Sequence, residues 1–245
     1  MIDFSNFSDF FNFRATSSVL LIMRRSVAAL FFVAVFATVS AQTPKGTPEE
    51  LAGRIQQRYD TIRDFEAEFV QTYQGGLLRT KTTEEGTVAI KRPGRMHWTY
   101  TKPERKEFVS NGREIYSYIP RDKQVIVSPM PEEAQTTPAL FLSGKGNLVR
   151  DFTATFTEVP AAAPGSVALK LVPRKSDPEV EWLIVAVDPS TMQIRALVAM
   201  DRQGGQSTFT FKNLKENRNL SDTIFDFKVP RGVDVISNGA ATKRK

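Results

Sequence analysis

The chain has 245 residues, a net charge of +6, one histidine and no cysteine. It therefore has no disulfide and no thiolate chemistry, and too few His and Cys ligands for a transition-metal centre. The positive charge is scattered apart from Lys243-Arg244-Lys245; that balance implies solubility and weak attraction to acidic surfaces, and no nucleic-acid-binding module stands out.

The first 41 residues do not read as folded protein. Met23-Arg24-Arg25 is a short basic start, and Val27 to Val39 is an uncharged, largely apolar run. Val39-Ser40-Ala41 places small residues at the −3 and −1 positions of a cleavage site. Basic start, apolar run and small-residue site together are a secretory signal peptide over 23–41. The apolar run is too short for a spanning helix, which needs about 20 residues. Residues 1–22 are rich in phenylalanine and are expected to be an upstream extension, with the true start at Met23. Cleavage after Ala41 leaves 42–245 as a single domain. No cysteine follows the cleavage site to carry a lipid, so the processed chain is expected to be untethered.

In chain order, Thr47-Pro48-Glu49-Glu50 opens a helix: Thr47 caps, Pro48 suits the first helical position, and Glu50 completes a capping box. Leu51, Ile55, Tyr59 and Ile62 follow at spacings of four, four and three, one apolar stripe on one helix face. Alternation by two then takes over. Phe65, Ala67, Phe69 and Tyr73 fall on one side of a strand over 64–74, with Glu66, Glu68 and Thr72 on the other. A second strand is predicted over 87–91 and a third through Met96, Trp98 and Tyr100. Asn111-Gly112 joins 106–110 to 113–118 as a hairpin with the signature of a type I′ turn. A strand over 124–128 follows.

The pattern breaks from Ser128 to Asn147, with Pro129, Pro131 and Pro138 and a short apolar helix over 138–142, capped by Thr137 and closed by Gly144. Strands resume at 151–158, 166–172, 180–187, 192–200 and 206–213, with turns at Asp188-Pro189 and Gly204-Gly205. Phe225 to Pro230 reads as one more short strand. Consecutive strands on tight turns imply an antiparallel meander. A sheet this long curls and acquires a concave apolar side. The fold class is thus mainly β, with the helix and the 129–147 segment available to cover the mouth.

Catalytic chemistry finds little support. His97 alternates with Met96 and Trp98 on a strand, with no nucleophile elbow nearby. Glu66 and Glu68 read as a solvated strand face. Ser143-Gly144-Lys145-Gly146 lacks the spacing of a phosphate loop. No enzyme, no cofactor and no metal are expected. An enzyme acting on a hydrophobic substrate would have to use His97. Binding is better supported: Phe65, Phe69, Trp98, Tyr100, Tyr116 and Tyr118 are large apolar groups on neighbouring strands, and the same pattern would also serve an ordinary core.

A set of motifs in order adds a resemblance. Lys91-Arg92-Pro93-Gly94-Arg95-Met96-His97-Trp98 is followed by Pro103, Val109-Ser110-Asn111-Gly112, Tyr116-Ser117-Tyr118-Ile119-Pro120 and Gln124. Thr137-Pro138-Ala139-Leu140 and Phe225-Asp226-Phe227-Lys228-Val229-Pro230-Arg231-Gly232-Val233-Asp234-Val235 come later. From about Leu51 to Val235 the chain resembles the LolA family of periplasmic outer-membrane lipoprotein carriers. Asn111 stands where the family often has Asp, and 160–165 reads as a local insertion.

The resemblance implies an unclosed antiparallel barrel with helices as a lid over an apolar cavity. It implies a monomeric periplasmic chaperone for triacylated lipoproteins. Its cargo would come from an ABC-type releasing complex in the inner membrane and go to an outer-membrane acceptor lipoprotein, LolB-like or of unknown kind. Arg92 matches the family's lid latch. Ile55, Tyr59, Phe65, Phe69, Met96, Trp98, Tyr100, Tyr116 and Tyr118 are the expected acyl-chain cavity, with Leu140, Phe141 and Leu142 in the lid. Related folds also serve as lipid-sensing regulators of envelope stress, the alternative function, usually with a second domain.

Overall fold

The computed structural model describes residues 46–75, 80–130 and 141–237. The expected leader, Leu140 and most of the 138–142 helix lie outside that range; Phe141 and Leu142 fall inside it, in helical conformation.

The chain opens with α1 (Pro48–Asp60). The Thr47 hydroxyl accepts from the Glu50 N–H while a Glu50 carboxylate oxygen accepts from the Thr47 N–H, so the capping box is complete. Leu51, Ala52, Ile55, Gln56 and Tyr59 form the buried face. Burying an aliphatic or aromatic side chain of this size contributes about 1.5–3 kcal/mol, so the stripe, more than intrinsic helix propensity, fastens α1 to the sheet.

Eleven strands follow in the order expected, and a twelfth does not. They are β1 (Asp64–Gln74), β2 (Lys81–Lys91), β3 (Arg95–Lys102), β4 (Lys106–Asn111), β5 (Glu114–Ile119) and β6 (Gln124–Pro129). After the interruption and a short helix, Leu148–Asp151, come β7 (Phe152–Phe156), β8 (Val167–Pro173), β9 (Val180–Val187), β10 (Ile194–Asp201) and β11 (Gln206–Glu216). Last is β12 (Asp234–Ser237). All lie in one 12-stranded sheet ordered β12-β6-β5-β4-β3-β2-β1-β11-β10-β9-β8-β7. The two meanders meet where β1 pairs antiparallel with β11. β7 and β12 remain as edges, so the sheet curls without closing.

Four details differ from expectation. β2 begins at Lys81, because Thr82–Glu85 pairs in register with β1 although it lacks apolar alternation. The β4–β5 connection is Gly112-Arg113, with a positive φ at Gly112 and none at Arg113, the pattern of a type II′ rather than a type I′ turn. Asn111 instead accepts from the N–H groups of Arg113 and Glu114 through its side chain, an Asx-type turn. The last strand is not at Phe225–Pro230 but at Asp234–Ser237, which runs parallel to β6. Phe225 is fully buried instead, and residues 222–230 cross the outer face of the sheet as a strap.

Side-chain polarity across the sheet follows from register. Phe65, Ile90, Met96 and Ser110 align across β1–β4, as do Ala67, Val88, Trp98 and Phe108. These point to the concave side, where one continuous apolar cluster joins them to Phe152, Leu169, Leu171, Leu183, Leu197 and Phe209.

Candidate functional site

The concave interior is built around an aromatic group. Phe69 sits edge-on to Trp98 (ring centres 5.0 Å apart) and to Tyr100 (4.9 Å), and Trp98 sits edge-on to Phe209 at 5.6 Å. Gly86 lies between Phe69 and Tyr100 in register; a Cβ there would stand 2.1 Å from the Thr99 carbonyl oxygen and 3.0 Å from the Phe69 ring. Only glycine lets the ring and the neighbouring backbone approach this closely.

α1 and residues 141–146 cover this interior. Tyr59 stacks on Phe141 with ring centres 5.0 Å apart and an interplanar angle of 17°. Gln56, buried on α1, accepts from the Leu148 N–H at 2.8 Å and donates to Asp60 at 2.7 Å, so the helix and the far end of the covering segment are tied through one side chain. The Gly94 N–H donates to the Ser143 carbonyl at 2.9 Å, which ties the same segment to the β2–β3 turn.

Arg92 stands where these parts meet. Its Nη1 donates to the Tyr59 carbonyl, with the Ile62 carbonyl at 3.4 Å. Its guanidinium carbon lies 4.7 Å from the centre of the Tyr59 ring. On its other side is Gly144, at φ +82°; a Cβ there would stand 2.2 Å from Arg92 Nε. One planar cation thus holds the C-terminal end of α1 and packs against the turn of the covering segment. Arginine's fork of donors suits several carbonyls at once, which lysine's point charge does not. Burial pushes the Tyr59 hydroxyl well above its ordinary pKa, partly offset by Arg92. Among the described residues that buried hydroxyl has no hydrogen-bond partner, which costs about 1–3 kcal/mol in the closed arrangement.

Of the expected cavity residues, Ile55, Tyr59, Phe65, Phe69, Met96, Trp98 and Tyr100 come together in the interior cluster, with Phe141 and Leu142 against it. Tyr116 and Tyr118 do not. They pair with Val109 and Glu107 on β4, on the opposite face of the sheet from Phe108. Tyr116 stacks on Phe227 of the strap at 5.4 Å and Tyr118 lies 5.8 Å from it. The expectation for these two is corrected: regular pairing with Val109 and Glu107 puts them on the face opposite Phe108, since successive strand residues point to opposite faces. Sequence reading also missed Gln71, Glu84 and Lys106 on the concave side. Gln71 lies on the alternation of Phe65 and Phe69, which is the signal that could have found it.

His97 is on the outer face with the tyrosines. Its Nδ1–H donates to the Ile224 carbonyl at 3.0 Å, and its Nε2 lies 3.6 Å from Glu107. A groove of about 370 Å³ opens beside it, lined among others by Arg105, Glu107, Tyr118, Phe227 and Lys228. Its lining carries charges of both signs and it lies outside the apolar interior. Among the described residues no group of three or more His, Cys, Asp or Glu side chains could hold a metal ion, and no helix is long and apolar enough to cross a membrane.

A lidded, curled antiparallel sheet with a greasy concave face and an arginine clasp defines a class of binding protein for apolar chains. The family described as outer membrane lipoprotein carrier protein LolA matches residues 60–228, and the chain belongs to it. An outer-membrane lipoprotein carrier protein of Azotobacter vinelandii is 31% identical over 209 residues, covering 84% of this chain and 98% of the relative. One of Coxiella burnetii is 28% identical over 207 residues, covering 84% and 93%. A solved LolA superfamily protein of Nitrosomonas europaea is 14% identical with a TM-score of 0.41, covering 72% of this chain and 97% of that one. The family is one of carriers, not of enzymes.

Proposed function

We propose that this protein carries the acyl chains of triacylated lipoproteins across the periplasm, from an inner-membrane ABC-type releasing complex to an outer-membrane acceptor lipoprotein. The secretory signal over 23–41 delivers it there, and the processed chain, 42–245, works as a monomer. The observation that carries this reading is Arg92 clasping the backbone of α1 over an apolar interior. Each acyl CH₂ taken from water contributes about 0.8 kcal/mol. An open greasy cavity would aggregate or fill with the wrong lipid. A lid that closes on its own interior when empty avoids both, and its closure energy is deducted from cargo affinity, so cargo is held and can still be surrendered. Ile55, Tyr59, Phe65, Phe69, Met96, Trp98 and Tyr100 receive the chains once α1 and the segment around Leu140, Phe141 and Leu142 move aside.

The test loads the exported protein with a fluorescent apolar probe. A triacylated lipopeptide is then titrated in, and separately the same peptide without acyl chains. Displacement by the acylated peptide alone supports carriage. Displacement by neither, or by both equally, overturns it in favour of a lipid-sensing regulatory role.

A further inference from the structure

The concave face is not apolar throughout. At the end of β1–β4 away from Arg92, four polar side chains converge on it. Gln71 stands opposite Glu84, and Tyr100 opposite Lys106. The Lys106 ammonium is 2.7 Å from Glu84 Oε1, with the two side chains only 5% and 13% exposed. It also lies 4.3 Å from the centre of the Tyr100 ring and 5.8 Å from that of Phe108. The Tyr100 hydroxyl donates to Gln71 Oε1 at 2.7 Å. Glu84 lies seven positions along β2 from Lys91, beside the clasp, a distance of about 23 Å along the strand. The apolar interior thus runs from a cation at one end to a buried ion pair at the other.

A buried ion pair is rarely the most stable choice, since apolar residues of similar volume usually do as well or better. Among the described residues Lys106 Nζ makes no directed hydrogen bond, only the contact with Glu84 and the two ring faces. An ammonium has three N–H donors. One carboxylate oxygen and two ring faces leave N–H donors without an oxygen acceptor among the described residues, on a group whose charge is already balanced.

We propose that Lys106, held by Glu84 and Tyr100, is a polar subsite that takes the ester and amide carbonyls linking acyl chains to the head of the cargo. This rests on the carrier reading and adds the chemistry of the linkage to it. The balancing carboxylate sets the preference. An incoming carbonyl oxygen accepts from the free N–H groups without meeting a net charge, whereas a free fatty-acid carboxylate would be brought against Glu84. The subsite therefore distinguishes acyl esters and amides from bare hydrocarbon and from fatty-acid anions, and fixes how deep the chains lie.

The experiment compares two lipopeptides of equal chain length, one with ester and amide linkages and one with ether and alkylamine linkages, as competitors for the apolar probe. The wild-type protein is expected to bind the first at least about tenfold more tightly, the value of one charge-assisted hydrogen bond. The paired substitution Glu84→Met with Lys106→Met removes both charges together and leaves none uncompensated. It is expected to keep its fold, by circular dichroism and cooperative melting, and to bind both lipopeptides equally. Lys106→Arg, which keeps the cation, retains the preference. Equal binding of the two by the wild type, or a tenfold preference surviving in the paired variant, overturns the subsite and leaves carriage standing. Failure of the wild type to bind either one overturns carriage, and the subsite with it.

Discussion

Arg92 and Tyr59 are joined twice: the guanidinium lies over the tyrosine ring, 4.7 Å from its centre, and also donates to the tyrosine's own carbonyl. The ring in turn stacks on Phe141. A cation at a strand end thereby fixes the last turn of α1 and, through that ring, the covering segment. A charge-assisted hydrogen bond of this kind contributes about 2 kcal/mol. On the carrier reading it acts only in the closed, empty state, so Arg92→Leu is expected to tighten lipopeptide binding by about thirtyfold, slow transfer to acceptor-bearing membranes and lower the melting temperature of the empty protein. Probe displacement, a transfer assay and thermal melting read the three effects. An unchanged transfer rate would remove Arg92 from the latch.

Gly144 makes a second, independent demand on the same clasp. Alanine there costs about 1–2 kcal/mol for the left-handed conformation, and its Cβ would displace the guanidinium. Gly144→Ala should therefore act in the direction of Arg92→Leu: weaker closure and tighter cargo. Combined with Arg92→Leu it should fall short of additivity by more than about 0.5 kcal/mol, since both changes disrupt one contact. A double-mutant cycle on melting and on probe affinity measures this.

The two faces of the sheet should respond differently to truncation. Trp98→Ala removes a side chain only 1% exposed from the middle of the interior cluster and is expected to cost about 3–5 kcal/mol while altering probe affinity. Tyr116→Ala strips one ring from under Phe227 on the outer face. It should leave the probe affinity as it is and expose the 222–230 strap to limited proteolysis. A change in probe affinity for Tyr116→Ala comparable to that for Trp98→Ala would contradict the facing described here.

The difference between these two aromatics also shows what the sequence could convey. Alternation identified Phe65, Phe69, Met96, Trp98 and Tyr100 as one face because each strand carries its own polar partners, and a buried face then has only one consistent register. The Thr47–Glu50 capping box and the Leu51–Ile62 stripe were equally legible, being local. Tyr116 and Tyr118 were misplaced because β5 has aromatic residues on one side and Ile115 and Ser117 on the other, and only pairing with Val109 and Phe108 decides which is inside. The strap was unreadable for a related reason. Phe225 and Phe227 alternate like a strand, yet they are drawn onto the outer face of the sheet rather than to its edge. Lys106 was hidden because a lysine at a strand end reads as solvated, and its burial depends on Glu84, 22 positions away in the chain.

A last expectation concerns acid. Asp188 closes the β9–β10 connection: its carboxylate accepts from the Ser190 hydroxyl and Arg195, and from the N–H groups of Ser190 and Thr191. These hydrogen bonds, that from the Ser190 hydroxyl first, hold its pKa well below the ordinary aspartate value of 3.8. A carboxyl whose folded pKa is depressed binds fewer protons when folded than when unfolded. Its contribution is fully present above the ordinary value and is lost as pH falls from there through the lower folded value. Asp188→Asn keeps one acceptor oxygen and no charge, so it should unfold at lower denaturant than the wild type at pH 7. The gap should narrow steadily below about pH 4 as the wild-type carboxylate takes up its proton. Denaturant unfolding across pH 2.5–7 measures the gap; one that stays constant over that range would mean that the charge of Asp188 does not stabilise the turn.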